Sequence, residues 1–283
     1  FSVIPLYHAA VDLRDERAVS ACLASRPADV VIHCAAIGAR KADCGAGRGD
    51  VVSTNLRMFF NLVRAMRPGV RFINMGSGGE YDKRAAIAKV SEDYFDAHPP
   101  VEEYAYSKYL ISKYIAKMEN AVSLRIFGLY GKYEDYTCKF ISNAIVKNLL
   151  GMPIVINQNV KFDYLWIADL CRIVEKLMHI EPAYPHYNIT PAESVDLVTL
   201  AELINSAGRS KSEIKVLNPG LGLEYTGSNR RIMNEAGDLV FTTYEAGVKQ
   251  LYAYYADRLE TLDLETVRKD PYLKLCRRPA GGN

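Results

Sequence analysis

The chain has no apolar run approaching the ~18 residues of a membrane span and no visible signal peptide. It has no excess of charge of either sign: the formal net charge is +2 over 283 residues. That balance argues against nucleic acid and against an acidic membrane surface as partners. Its six cysteines (Cys22, Cys34, Cys44, Cys138, Cys171 and Cys276) form no CxxC pair and no metal-like spacing. Several sit in apolar runs, so they read as reduced packing residues of a cytoplasmic protein, with no metal site expected. There are no internal repeats. An initial Met is also missing: FSVIPLYHAAVDLRD reads as a strand running into a loop, without the unit expected before it. The chain is expected to be a fragment lacking its N-terminus.

About half of the residues are hydrophobic, enough for one large α/β domain or a large and a small one. Residues 3–7 suggest a short strand. The polar turn Asp12-Leu13-Arg14-Asp15 follows, then a helix over 16–25 with Asp15 as N-cap. Residues 29–36 (DVVIHCAA) form an apolar run ending in small residues, the pattern of a buried parallel strand whose end approaches a ligand. Gly45, Gly47 and Gly49 lie in a Gly-rich stretch that lacks GxGxxG spacing and reads as a loop. A helix over 50–66 carries Asn55, and a strand over 70–74 delivers Gly76-Ser77-Gly78-Gly79-Glu80-Tyr81. Residues 83–100 read as a polar, acidic loop. A helix over 102–118 and a strand over 122–127 follow, the strand ending in Gly128-Leu129-Tyr130-Gly131.

This alternation predicts a doubly wound parallel sheet, with ligands beyond the carboxyl ends of its strands. After Tyr130 the elements shorten. Helices are expected over 141–150, after an N-cap at Asp169, over 200–206 capped by Thr199, and over 244–259. Short strands are expected at 154–156, 187–189 and 215–216, before a basic tail expected to be disordered. The C-terminal half reads as a smaller mixed α/β region.

Tyr104 and Lys108 stand one helical turn apart and share a face. A phenol ordinarily titrates near ~10, and an adjacent ammonium favours the phenolate, so such a pair can exchange protons at neutral pH. The same spacing also suits a solvated helix face. Ser77 suits a Gly-rich turn as well as a site, Asn55 a helix hydrogen bond, and Asp12 a cap.

Together these stretches resemble the extended short-chain dehydrogenase/reductase family, in its NAD-dependent epimerase/dehydratase branch. Asp12-Leu13 matches the Asp-Leu at the adenine ring, Ala35-Ala36 the small pair at the pyrophosphate and ribose, and Asn55 the helix Asn behind the catalytic residues. Ser77 stands four before Tyr81 as in SxxxY, and Tyr104 with Lys108 forms YxxxK. Arg125 to Gly131 resembles RxFNxYG, and Phe162-Asp163-Tyr164 with Asp169 resembles RDFxxVxD.

The resemblance implies a Rossmann-like fold lacking its first βαβ unit, with a dinucleotide-binding domain over 1–130. It implies a mainly substrate-binding region over 131–283, with 154–180 returning to the first domain. It implies catalytic Ser77, Tyr104 and Lys108, with Tyr104 as acid/base. NAD or NADP is implied on Asp12, Leu13, Ala35, Ala36, Asn55, Tyr104, Lys108 and Phe127, and substrate on Ser77, Gly128 and Arg231. The missing unit would carry the Gly-rich loop and the residue that selects NAD or NADP, so this fragment is expected to bind dinucleotide poorly.

Some positions depart from the family pattern. Gly78 and Gly79 replace the Asp-Glu of sugar dehydratases, and Gly79 also replaces the Cys of GDP-fucose synthase-like enzymes. Phe162 replaces the usual Arg and Gly128 the substrate-facing Asn. A nucleotide-sugar 4-ketoreductase or 4-epimerase remains, and the polar YTGSNRR stretch (225–231) suits a diphosphate or a solvated basic turn. A reductase of a non-sugar ketone and a non-catalytic dinucleotide-binding regulator stay open. The helices over 50–66 and 102–118 either make a homodimer contact, common in the family, or pack on the sheet.

Overall fold

The computed structural model describes residues 1–38 and 50–276. The Gly45, Gly47 and Gly49 stretch and the tail from 277 lie outside the described residues. The chain forms two compact units: residues 1–82, 92–126 and 174–188 in the first, and 83–91, 127–173 and 189–283 in the second.

In the first unit a four-stranded sheet runs in the order Val30–His33, Arg71–Ser77, Ala121–Ile126, His186–Ile189. The first three strands are parallel, with Ile32 opposite Ile73, Gly76 opposite Arg125 and Ser77 opposite Ile126. The helices Glu16–Ser25, Val51–Ala65 and Glu103–Ile115 pack on it through Val19, Phe59, Leu62, Phe72, Ile111 and Ile115. Tyr114 lies against Phe59 and Phe60, while Tyr106 and Tyr114 remain 38% and 42% exposed. Asp15 caps the first helix, its carboxylate accepting from Arg17 N (2.9 Å) and Ala18 N (3.1 Å). Residues 3–7 form no strand: they are exposed, without a neighbouring strand to pair their backbone.

A buried polar string crosses this sheet. The Asn74 side-chain amide donates to Ser123 Oγ (3.0 Å), Ser112 Oγ donates to the same atom (2.9 Å), and Asn74 Oδ1 lies 3.2 Å from His33 Nδ1. Burial, then the charge of Lys108, pushes His33 down to about 4, so the ring is neutral at physiological pH.

Among the described residues the second unit carries three small sheets. The largest orders Val195–Asp196, Lys161–Phe162, Tyr225–Gly227 and Ile87–Val90. The segment 83–100 therefore contains a strand, which its polar composition hid. Ile154–Asn159 pairs in parallel with Ile214–Leu221, and Gly128–Tyr130 with Tyr164–Trp166. The helices Phe140–Leu149, Leu197–Ala207 and Tyr244–Ala256 build the core through Ile141, Ile145, Leu200, Ile204, Leu251 and Tyr255.

Two capping expectations are corrected here. The helix after Trp166 starts at Ile167, so Asp169 lies inside its first turn rather than at an N-cap. There it accepts from Thr242 N and Thr242 Oγ1, both at 2.8 Å. The helix expected from 200 starts at Leu197 and is capped by Asp196, not Thr199: Asp196 Oδ1 accepts from Val198 N (3.0 Å) and Thr199 N (3.1 Å). Asp196→Ala is expected to cost about 1 kcal/mol, read as a lower urea midpoint at unchanged slope.

Candidate active site

Tyr104 and Lys108 occupy the first two turns of the helix Glu103–Ile115, a good helical stretch started by Glu102 in extended geometry. Lys108 is 2% exposed and donates to the Met75 carbonyl at 2.7 Å, which brings it to the strand that ends in Ser77. One hydrogen bond uses one of an ammonium's three N–H groups. The Lys108 nitrogen lies 5.8 Å from the centre of the Tyr104 ring.

Ser77 closes its strand and caps a one-turn helix, Gly78–Tyr81. Its hydroxyl oxygen accepts from Gly79 N (3.1 Å), so the O–H proton is free to be donated elsewhere. Its own N–H donates to Glu80 Oε1 at 2.9 Å, completing a capping box.

Asn55 sits behind this helix. Its side chain accepts from Ile37 N (2.9 Å) and donates to Ile37 O (3.1 Å) and Ser107 Oγ (2.9 Å), while Ser107 Oγ donates to Tyr104 O (2.7 Å). Asn55 thereby ties the backbone after Ala35-Ala36 to the Tyr104 turn. Ala35 and Ala36 are half-buried at the carboxyl end of Val30–His33, between exposed Cys34 and Ile37. Small side chains there leave main chain open to close approach, and Lys108 has N–H groups to offer. These residues fit the ribose end of a dinucleotide.

Asp12 and Leu13 lie in the same unit. The Asp12 carboxylate is taken by Arg14 in a paired contact (2.8 and 3.0 Å), which with the Arg14 N–H holds it down to about 2. The Leu13 carbonyl accepts from the Asn61 amide at 2.9 Å.

Phe127, Gly128 and Arg231 belong to the second unit. A Cβ on Gly227 would stand 2.4 Å from the Phe127 ring, so that glycine makes room for it. A Cβ on Gly128 would stand 2.7 Å from the Asp163 carbonyl and 2.8 Å from the Tyr164 ring. The Asn that the family resemblance implies at this position is excluded by that packing. Arg231 is half-buried in the short helix Arg230–Ala236.

The titration of the pair differs from the sequence expectation. Burial, then the carboxylates of Glu80 and Glu102, pushes Tyr104 up to about 12. Burial also pulls Lys108 down to about 8, against the opposing pull of Glu80 and Cys34. Spacing alone gave the lysine's effect on the phenol; it did not give the desolvation of both groups, which outweighs it.

Three residues escaped the sequence reading as site members: Glu80, its partner Arg125, and His33. For Glu80 a signal was present, since Ser77-x-x-Glu80 is a capping-box spacing. Among the described residues no cluster of His, Cys, Asp and Glu could hold a metal, and no helix is long and apolar enough to cross a membrane.

Known proteins add to this geometry. The model of the NAD dependent epimerase/dehydratase family matches residues 5–190. A dTDP-4-dehydro-6-deoxy-D-allose reductase from Streptomyces is 25% identical over 212 residues, covering 68% of this chain. The chain spans 64% of that relative's length. UDP-glucose 4-epimerase from Thermotoga maritima, solved with UDP-glucose, superposes with a TM-score of 0.74 at 19% identity, covering 87% of this chain and 83% of its own. RMD from Pseudomonas aeruginosa, solved with NADPH, gives 0.76 at 19% identity, covering 91% and 90%. GDP-L-fucose synthetase from Naegleria fowleri, bound to NADP, gives 0.77 at 16%, covering 90% and 85%. These superpositions show a shared Rossmann-type α/β fold.

Lys108 yields a stability prediction with a definite sign. Its folded value of about 8 lies below the ordinary 10.5, so above pH 8 the unfolded chain binds the extra proton. Its burial therefore costs most below pH 8, and the cost fades as pH rises towards 10.5. Lys108→Met is expected to stabilise the protein by roughly 1–3 kcal/mol at pH 7, with the gain shrinking as pH rises from 8 and largely gone by 10.5. Urea unfolding at pH 7 and pH 10 checks this; a loss of stability at pH 7 would contradict it.

Proposed function

The chain belongs to the NAD dependent epimerase/dehydratase family, and we propose that it transfers a hydride at a carbinol or ketone carbon of a nucleotide-linked sugar, as a 4-ketoreductase or 4-epimerase. The observation that carries this reading is one arrangement in the first unit. Ser77 ends a parallel strand, Lys108 is bonded to that strand, and Tyr104 stands one turn before Lys108. Gly78 and Gly79 lie where a sugar dehydratase of the family needs its acid pair. The name of the Streptomyces relative supports a nucleotide sugar over a non-sugar ketone.

A bound NAD or NADP supplies the hydride donor and acceptor. Lys108 holds the nicotinamide ribose with its remaining N–H groups, and Ala35 and Ala36 admit the ribose and pyrophosphate. The Tyr104 phenol gives its proton to the sugar oxygen during reduction and takes it back during oxidation. The Ser77 hydroxyl donates to the same oxygen as charge gathers there. Asn55 keeps Tyr104 and the Ile37 backbone in register. Asp12 and Leu13 serve the adenine end and Phe127 the cofactor, while Gly128 and Arg231 serve the substrate, with Arg231 on its diphosphate.

The test uses the full-length protein, purified, denatured and chromatographed for released nicotinamide nucleotide. Stoichiometric NAD indicates an epimerase that recycles its hydride. Empty protein that oxidises NADH or NADPH with a 4-keto-sugar nucleotide indicates a reductase. Protein that neither carries nor uses a dinucleotide overturns the reading. In the active protein, Tyr104→Phe is expected to lower kcat by about 10²–10⁴-fold and Ser77→Ala by about 10²–10³-fold, with circular dichroism unchanged. Undiminished turnover by Tyr104→Phe would remove the acid/base assignment.

A further inference from the structure

We propose that Glu80 is the positioning residue of the Ser77, Tyr104 and Lys108 set. One carboxylate oxygen fixes the Ser77 main chain and the other is clamped by Arg125, which holds a buried carboxylate in the turn Gly78–Tyr81, packed against the helix that bears Tyr104 and Lys108. The inference rests on the reading of those three residues given above.

Glu80 is 1% exposed and both of its oxygens are committed. Oε1 accepts from Ser77 N (2.9 Å) and Oε2 from Arg125 Nε (2.6 Å). Arg125 comes from the adjacent strand, is fully buried, and is itself held fast. Its guanidinium lies 3.9 Å from the centre of the Phe95 ring, and Nη1 donates to Tyr81 Oη at 3.1 Å. Tyr81 Oη in turn donates to Asn188 Oδ1 at 2.6 Å, and Asn188 N donates to Glu92 Oε1 at 2.8 Å. The carboxylate lies close against the strand: a Cβ on Gly76 would stand 2.7 Å from its Oε1 and 2.8 Å from Ser123 Oγ. Glycine at 76 is what lets the carboxylate lie against the strand.

A capping box needs only an acceptor at this position, which a glutamine would supply. The charge is a separate matter. Glu80 raises the titration of Lys108 and of Tyr104, and it is the largest Coulombic influence on each. Among the described residues the other groups that act on them are Cys34, on Lys108, and Glu102, on Tyr104, while His33 is held neutral. Without the Glu80 anion, Lys108 loses its proton at lower pH, and with it the positive charge beside the reacting phenol.

Glu80→Gln separates the two roles because it keeps size and acceptor but removes charge. The readout is the lysine ¹³Cε resonance of Lys108 in labelled protein, assigned by its loss in Lys108→Arg. The wild-type midpoint near 8 is expected to fall by about one pH unit in Glu80→Gln, while the other lysines stay put. The alkaline limb of the kcat profile should move to lower pH by the same amount.

Where the single variant does not fold, Glu80→Gln with Arg125→Met removes both charges, so neither is left buried alone. A folded variant with an unmoved Lys108 midpoint overturns the proposal. A moved midpoint in a protein whose wild type never turns over a keto-sugar nucleotide supports the Glu80 role and sinks the enzymatic reading instead.

Discussion

A guanidinium with no exposed surface, set in the parallel sheet of the first unit, is costly to desolvate. Arg125 is tolerable there only because Glu80 meets it at 2.6 Å and aromatic rings cover its face. That single pair couples three pieces of chain: the strand Ala121–Ile126, the turn Gly78–Tyr81 and, through Ser77 N, the end of Arg71–Ser77. The helix bearing Tyr104 joins by a further bond, from Lys108 to the Met75 carbonyl. Apolar packing makes the sheet; the buried ions decide how its carboxyl end is arranged. Buried pairs of this kind add little net stability but are costly to break singly, which makes them registers more than fasteners.

Much of this was legible in the chain. Long periodic segments announced the helices Val51–Ala65 and Glu103–Ile115, and apolar runs announced the strands around them, because burial on both faces leaves a composition that is hard to mistake. Asp15 was readable as a cap from its position alone. The strand Ile87–Val90 was not, since its pairing with Tyr225–Gly227 is specified by tertiary contact and not by four residues in an acidic stretch. The cap on Leu197–Ala207 lies one turn before Thr199: Asp and Thr both suit that role, and only the backbone shows which starts the helix. The protonation of Tyr104 and Lys108 was invisible for a different reason. Spacing shows who stands next to whom, whereas desolvation depends on everything stacked above them.

In the second unit glycine marks where rings press against main chain. Gly247 faces the Tyr130 hydroxyl and Gly227 faces the Phe127 ring, each too closely for a Cβ. Gly128 does the same beneath Tyr164, and so a position that looked like a lost substrate contact is also a packing requirement. Asp163, with no exposed side-chain surface, gathers this unit's pieces. Its carboxylate accepts from Gly227 N (2.8 Å), Ser194 Oγ (2.6 Å) and, at 3.4 Å, from Lys89 Nζ.

The reach of that carboxylate has a temporal side. Its partners stand at positions 89, 194 and 227, and the strand Ile87–Val90 pairs with residues made much later. During synthesis the segment 83–91 must therefore wait, extended and unpaired, until Tyr225–Gly227 has left the ribosome. The strands Val30–His33, Arg71–Ser77 and Ala121–Ile126, by contrast, are complete within the first half of the chain. The helix Glu103–Ile115 is thus positioned early, and the second unit is completed last.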